Sequence, residues 1–180
     1  MHTRRLLTLL LGFWLAGTLF SALIATGNFQ IAEQISAHPP AEAQKWFETL
    51  GSENARLLLR HQAAEANRQV FEVWGRTDIA LLIAIGIVLI VARARRLILV
   101  LTLVMLIAGI AATFLLTPQM VGIGRGLDFI PTTAPSPERA RFGSLHGMYA
   151  GISLVRLLIG LAITGIVLYK RNRKQPEAES

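Results

Sequence analysis

The sequence predicts an all-α integral membrane protein: a four-helix bundle with both termini cytoplasmic and a helical outer segment between spans one and two. Three observations predict it. Of 180 residues, 53% are apolar and 16% charged, with a mean hydropathy of +0.50, which argues against an ordinary soluble domain. The apolar residues fall in long charge-free blocks, as a chain threading a bilayer requires. The cations that outnumber the acids collect in the short segments that four spans would leave on one side.

A hydrocarbon core about 30 Å thick takes roughly 20 helical residues at about 1.5 Å each. Residues 6–32 carry no charge for 27 positions and residues 97–124 none for 28, so each run crosses with residues to spare. Residues 147–169 are apolar apart from Arg156. Residues 79–92 are uncharged for only 14 positions, so that span takes in the turns before it, from Glu72 beside Trp74 as an interfacial anchor. The spans are placed at about 6–27, 72–92, 97–118 and 145–169. Outer loops then cover about 28–71 and 119–144, within a single membrane domain over residues 1–180.

Direction follows from charge. Arg4 and Arg5, then Arg93, Arg95 and Arg96, then Lys170, Arg171, Arg173 and Lys174 make nine of the 18 Lys and Arg residues, opposed there only by Glu177 and Glu179. The other nine cations share the chain with nine acids, so the whole net charge of +7 comes from one side. That is the positive-inside pattern, and it places both termini in the cytoplasm. The basic balance therefore marks topology, and no nucleic-acid partner is expected. The first apolar block exceeds the 7–15 residues or so of a secretory h-region, so it is read as a retained span. The chain has no cysteine, which excludes disulfides, thiolate metal ligands and cysteine nucleophiles.

Between the spans the sequence stays helical. Pro39 and Pro40 open a short amphipathic run through Trp46, Phe47 and Leu50, which Gly51 breaks. Ser52 is expected to cap a long helix that becomes the second span. Along it, His61, Glu65, Arg68, Glu72 and Arg76 recur at three- and four-residue spacing, read chiefly as a solvated ladder of helix ion pairs. Span three is expected to end around Thr117 and Pro118, with Gly122, Gly124 and Gly126 as a flexible exit. Ser136 and Pro137 then restart a helix.

Ionisable groups inside spans are costly, so each is a candidate site. Asp78 lies 14 residues above Ala92, and Arg156 13 above Tyr169, about 21 and 20 Å along their helices. An Asp78–Arg156 pair is expected at this matched depth, fixing helix register or lining a pathway. His146, Tyr149, Ser153 and Arg156, followed by Gly160, share one face of span four and form a polar stripe directed at the bundle interior. Gly143, Gly147 and Gly151 form a second stripe with the spacing of close helix packing, which would wedge span four between partners on two sides. His146 at the outer mouth is the strongest single candidate for chemistry, with Met120 as a weak companion ligand for a soft metal. His38 and His61 are too far out to join it. No catalytic motif is present, so no enzyme activity and no cofactor is expected.

The stretch Thr117-Pro118-Gln119-Met120 past span three, and Arg141-Phe142-Gly143-Ser144-Leu145-His146-Gly147-Met148 leading into span four, resemble the transmembrane protein 205-like family of small four-helix proteins. Glu65-Ala66-Asn67 ahead of span two fits loosely. The resemblance covers roughly residues 6–36 and 65–169. It implies a polar position and then an asparagine after the histidine of the last span, where this chain has Tyr149 and Ser153. It also implies at most a loose link to export or trafficking, and the location expected for the chain is a bacterial inner membrane.

These readings favour a non-enzymatic scaffold or accessory protein, in contact with the bilayer and with a second copy or another membrane protein through the glycine face and outer segment. Two alternatives remain open at this point. One is a small-solute or metal-ion permeation or export protein that uses the polar stripe with Asp78. The other is a haem-binding redox subunit, with His146 as a ligand and a second histidine supplied by a homodimer.

Overall fold

The charge-free opening block forms one uninterrupted helix, α1 (His2–Ala37), about 54 Å long at 1.5 Å per residue. A computed structural model of the chain describes residues 2–131 and 136–172, except the side chains of residues 2 and 170–172. The basic residues Lys170, Arg171, Arg173 and Lys174, and the acids Glu177 and Glu179, therefore lie outside the described side chains. The short amphipathic α2 (Ala41–Leu50) follows, with no buried residue. The long α3 (Ser52–Val91), then α4 (Arg96–Ala111), a π-helical segment (Ala112–Leu116), α5 (Thr117–Leu127) and α6 (Pro137–Asn172) complete the chain. Four helical stretches, Thr3–Ala37, Ser52–Val91, Arg96–Leu127 and Pro137–Tyr169, are long and apolar enough to cross a membrane, and the described residues contain no strand.

Each of these four rods packs on two neighbours: α1 on α3 and α6, and α4 on α3 and α6. Successive rods run antiparallel, so the start of α1, the Ala92–Arg95 turn and the end of α6 share one end, here called proximal. The outer end of α3, α2, and the connection from α5 to α6 share the other, distal end. The proximal turn is tight because Ala94 N donates to Leu89 O and Arg93 N to Ile90 O, the paired bonds of a Schellman close. That close requires a left-handed residue, and Arg93 occupies it at φ 49°.

The proximal half is where the bundle is densest. Leu7, Leu11 and Trp14 of α1 interlock with Leu82, Ile85 and Leu89 of α3, Ile98 and Met105 of α4, and Ile163 of α6. The three- and four-residue spacing within each set puts it on one helical face. In the distal half the buried apolar positions on α1 and α3 are small, namely Ala32, Ala55 and Ala63. Small residues let those two helices run close together.

Several sequence expectations need correction. Span three does not stop at Pro118: the helix continues to Leu127. A proline inside an α-helix lacks its N–H and clashes with the carbonyl four residues back. The π turn relieves this by widening the helix just ahead of Pro118, and Thr117 Oγ1 donates to Ala112 O at 2.9 Å. Gly124 is not a flexible exit either, since α5 there presses on Arg68 and Phe142. The outer segments placed at 28–71 and 119–144 are mainly extensions of the long helices. Ser52 begins α3 without a side-chain cap, and Gly51 at φ 78° makes the corner. The Trp74 ring packs on Gly17 of α1, where any Cβ would overlap it.

Candidate functional site

At mid-bundle α3 carries a carboxylate whose surroundings are nearly dry. Asp78 is 3% exposed and Arg156 of α6 9%. Arg156 Nη2 donates to both oxygens of Asp78, at 2.7 and 2.6 Å. Trp14 Nε1 of α1 donates to Asp78 Oδ1 at 2.6 Å, and the Arg156 guanidinium lies over the Trp14 ring at 5.9 Å from its centroid. Three helices therefore meet at one charge pair. Two glycines make room: a Cβ on Gly109 of α4 would sit 2.8 Å from Arg156 Nη2 and 2.9 Å from Asp78 Oδ2, and one on Gly160 would collide with the Trp14 ring. Burying an ion pair costs desolvation that direct contact and extra hydrogen bonds must offset. Here Trp14 supplies the extra donor, while Arg156 Nε has no partner among the described residues.

The proximal side of this cluster is the interlocked core, and the distal side is polar. Asn67 is 5% exposed; its amide donates to Ala25 O at 2.9 Å and its oxygen accepts from Asn28 Nδ2 at 2.7 Å. This pair zips α1 to α3 two turns above Gly75. Higher up, Glu33 accepts from Arg56 Nε at 3.1 Å and also from Arg60. Glu72 and Arg76 form an exposed pair at 2.6 Å.

The expected solvated ladder is more than that at Arg68. Its guanidinium bridges Glu65 at 2.6 Å and Asp128, in the segment after α5, at 2.7 Å. His61 Nδ1 reaches the other oxygen of Asp128 at 2.8 Å, and its ring packs on Phe129 at 4.8 Å. Burial raises the Asp128 carboxyl, but hydrogen bonds from Arg68 and His61 outweigh it and hold the group below the ordinary aspartate range. Glu65 is likewise lowered, first by its hydrogen bond from Arg125 and then by Arg68.

Ligand atoms of His61, Glu65 and Asp128 lie within 4.8 Å of one another. Arg68 and Arg125 already claim both carboxylates, so the cluster is charge-balanced without a metal. Of the metal candidates read from sequence, His146 and Met120, the histidine joins no three-ligand group of His, Asp and Glu among the described residues. They do line the same cavity, and so does His38, which the sequence reading had placed out of reach.

That cavity, of about 1290 Å³, opens between the distal parts of α1, α3, α5 and α6. Its walls include Phe29, Phe71, Phe142, Met120 and Val121, with Asn67, His146 and Tyr149 among the polar lining. Phe71 meets Tyr149 edge-on at 5.8 Å, and Phe142 lies parallel to His146 at 6.1 Å.

The stripe on α6 is thus divided. His146 and Tyr149 line the cavity, Ser153 is half-buried, and Arg156 reaches the ion pair. Gly143, Gly147 and Gly151 are exposed and a Cβ on any of them meets nothing. They are not a packing seam within the chain, and α6 meets α1, α4 and α5 through other positions. Spacing reveals that small residues share a face, but Gly109 and Gly160 are the positions where neighbours come close. Trp14, Gly109 and Asp128 were missed in the sequence: an indole in an apolar run, a glycine in another and an acid in a loop carry no periodic signal.

No family model matches the chain, and no curated protein or solved structure is similar enough to match it.

Proposed function

We propose that this chain is a non-enzymatic accessory or scaffold protein of a bacterial inner membrane. Both termini are cytoplasmic, and the distal cleft holds a hydrophobic ligand drawn from the outer leaflet. The carrying observation is the cavity of about 1290 Å³ among the distal helix ends. It exceeds the roughly 300–1,000 Å³ of common small-molecule sites, and its make-up of apolar walls with a few polar groups is that of a binding pocket. The positive-inside charge pattern supports the orientation, and the resemblance to the transmembrane protein 205-like family agrees with a four-helix membrane bundle.

A polar route through the bundle has less support. Proximal to Arg156, Leu82, Ile85, Met105 and Ile163 pack closely, and the buried Thr102 hydroxyl among them donates to Ile98 O at 2.9 Å. The Asp78–Arg156–Trp14 cluster is accordingly read as a structural bolt that shapes the cleft floor from below.

Filling the cleft tests the reading. Ala64 lines it and is half-buried, so Ala64→Trp places an indole in the space while sparing the proximal core. Native mass spectrometry of the purified full chain is expected to find lipid retained by the parent protein and lost from a folded Ala64→Trp variant. Equal lipid retention by both overturns the proposal.

A further inference from the structure

Given the cleft reading above, on which this inference rests, we infer that the ligand is a lipid quinone: an uncharged molecule with a flat, carbonyl-bearing ring and an apolar tail. Charge comes first. The cations in the wall are engaged, Arg60 with Glu33 and Arg68 with Glu65 and Asp128, so no free guanidinium waits for a phosphate headgroup. A net-charged head would have to break one of these pairs or lie unpaired, at a cost that a neutral head avoids.

Hydrogen-bonding capacity comes next. Asn67 already bonds Ala25 O and Asn28, and the Thr117 hydroxyl proton is taken by Ala112 O. The donors on α6 with no hydrogen bond among the described residues are the His146 ring and the Tyr149 hydroxyl, three residues apart on one face and both on the cavity wall. Two donors a turn apart suit a head that carries carbonyl acceptors. The wall also carries Gln30 and Gln34 on α1 and His38 just past its end, and His146 and Tyr149 can accept as well as donate, so a glycerol head is the competing occupant that the titration separates.

Shape decides the rest. The imidazole of His146 lies parallel to Phe142, with 13° between planes, and Tyr149 is held edge-on by Phe71. Ordered rings of this kind favour stacking and edge contacts with a conjugated plane, at centroid distances of about 4.5–7 Å. The exposed Ile31 beside Phe29 continues the apolar lining outward, where a tail would run.

The test uses the full chain in detergent micelles, titrated separately with decylubiquinone and dioleoylglycerol and followed by quenching of its tryptophans or by calorimetry. Saturable binding of decylubiquinone, weakened roughly fivefold by His146→Leu and again by Tyr149→Phe, is expected, since one neutral hydrogen bond is worth about 0.5–1.5 kcal/mol. Tyr149→Phe keeps the ring, so its effect reads the hydroxyl alone. Binding that neither substitution alters overturns the inference. Saturable binding of dioleoylglycerol with none of decylubiquinone also overturns it while sparing the cleft reading; failure of both ligands overturns both.

Discussion

Arg156 Nη2 contacts both carboxylate oxygens of Asp78, at 2.7 and 2.6 Å, across 78 positions of sequence. The pair ties α6 to α3, and Trp14 ties α1 to both. Removing one partner leaves a buried charge without its counter-ion. Arg156→Leu is therefore expected to cost about 3–5 kcal/mol, whereas Asp78→Leu with Arg156→Leu together is expected to be near neutral or stabilising by about 1–4 kcal/mol. Unfolding of the purified variants in a mixed-micelle denaturant titration checks this. A double variant as unstable as the single one contradicts it.

Glycine substitutions on two helices are expected to have opposite signs. At Gly109 an added methyl enters the ion pair, and overpacking of this kind costs about 1–3 kcal/mol. At Gly147 nothing lies within 4 Å, so alanine there is expected to gain up to about 1 kcal/mol of helix propensity. Thermal midpoints of Gly109→Ala and Gly147→Ala decide the matter, and a destabilised Gly147→Ala would reveal a partner on that face.

The contact between α3 and the segment after α5 is expected to weaken in acid. Asp128 has a folded-state pKa below its unfolded value, since Arg68 and His61 overcome the opposing effect of burial. Its stabilisation is therefore complete above the unfolded value of about 3.9 and is lost as pH falls through the folded one. Hydrogen exchange of residues 117–131 from pH 7 to pH 3 measures it. Asp128→Asn is expected to exchange faster at pH 7 and to change less on acidification; because Glu33, Glu65 and Glu138 also titrate low, the difference between the two proteins is the informative quantity. Parallel pH profiles contradict the assignment.

The architecture was legible where a physical constraint acts on long stretches. Charge-free runs revealed the four long apolar helices, and depth arithmetic on Asp78 and Arg156 brought together two residues from distant parts of the chain. It could not reach Trp14, because the depth of an indole in an apolar helix implies nothing about a carboxylate. Pro118 misled because local chemistry says that a helix stops there, whereas the π turn with the Thr117 hydroxyl lets it continue. The glycine stripe misled for a related reason: small residues permit close approach, and only the arrangement of the other helices decides which of them receive it. The cleft was invisible for want of any motif, since it arises from how the distal parts of α1, α3, α5 and α6 are placed.

The account stands most directly on which aqueous side receives the distal end of the bundle. The chain contains no cysteine, so a single introduced thiol reports its own position. Ser52→Cys lies at the distal end and Ala92→Cys in the proximal turn, both at exposed residues. With a membrane-impermeant maleimide on intact cells, Ser52→Cys is expected to react directly, and Ala92→Cys only after permeabilisation. The reverse pattern, or equal labelling of both thiols in intact cells, would contradict the account.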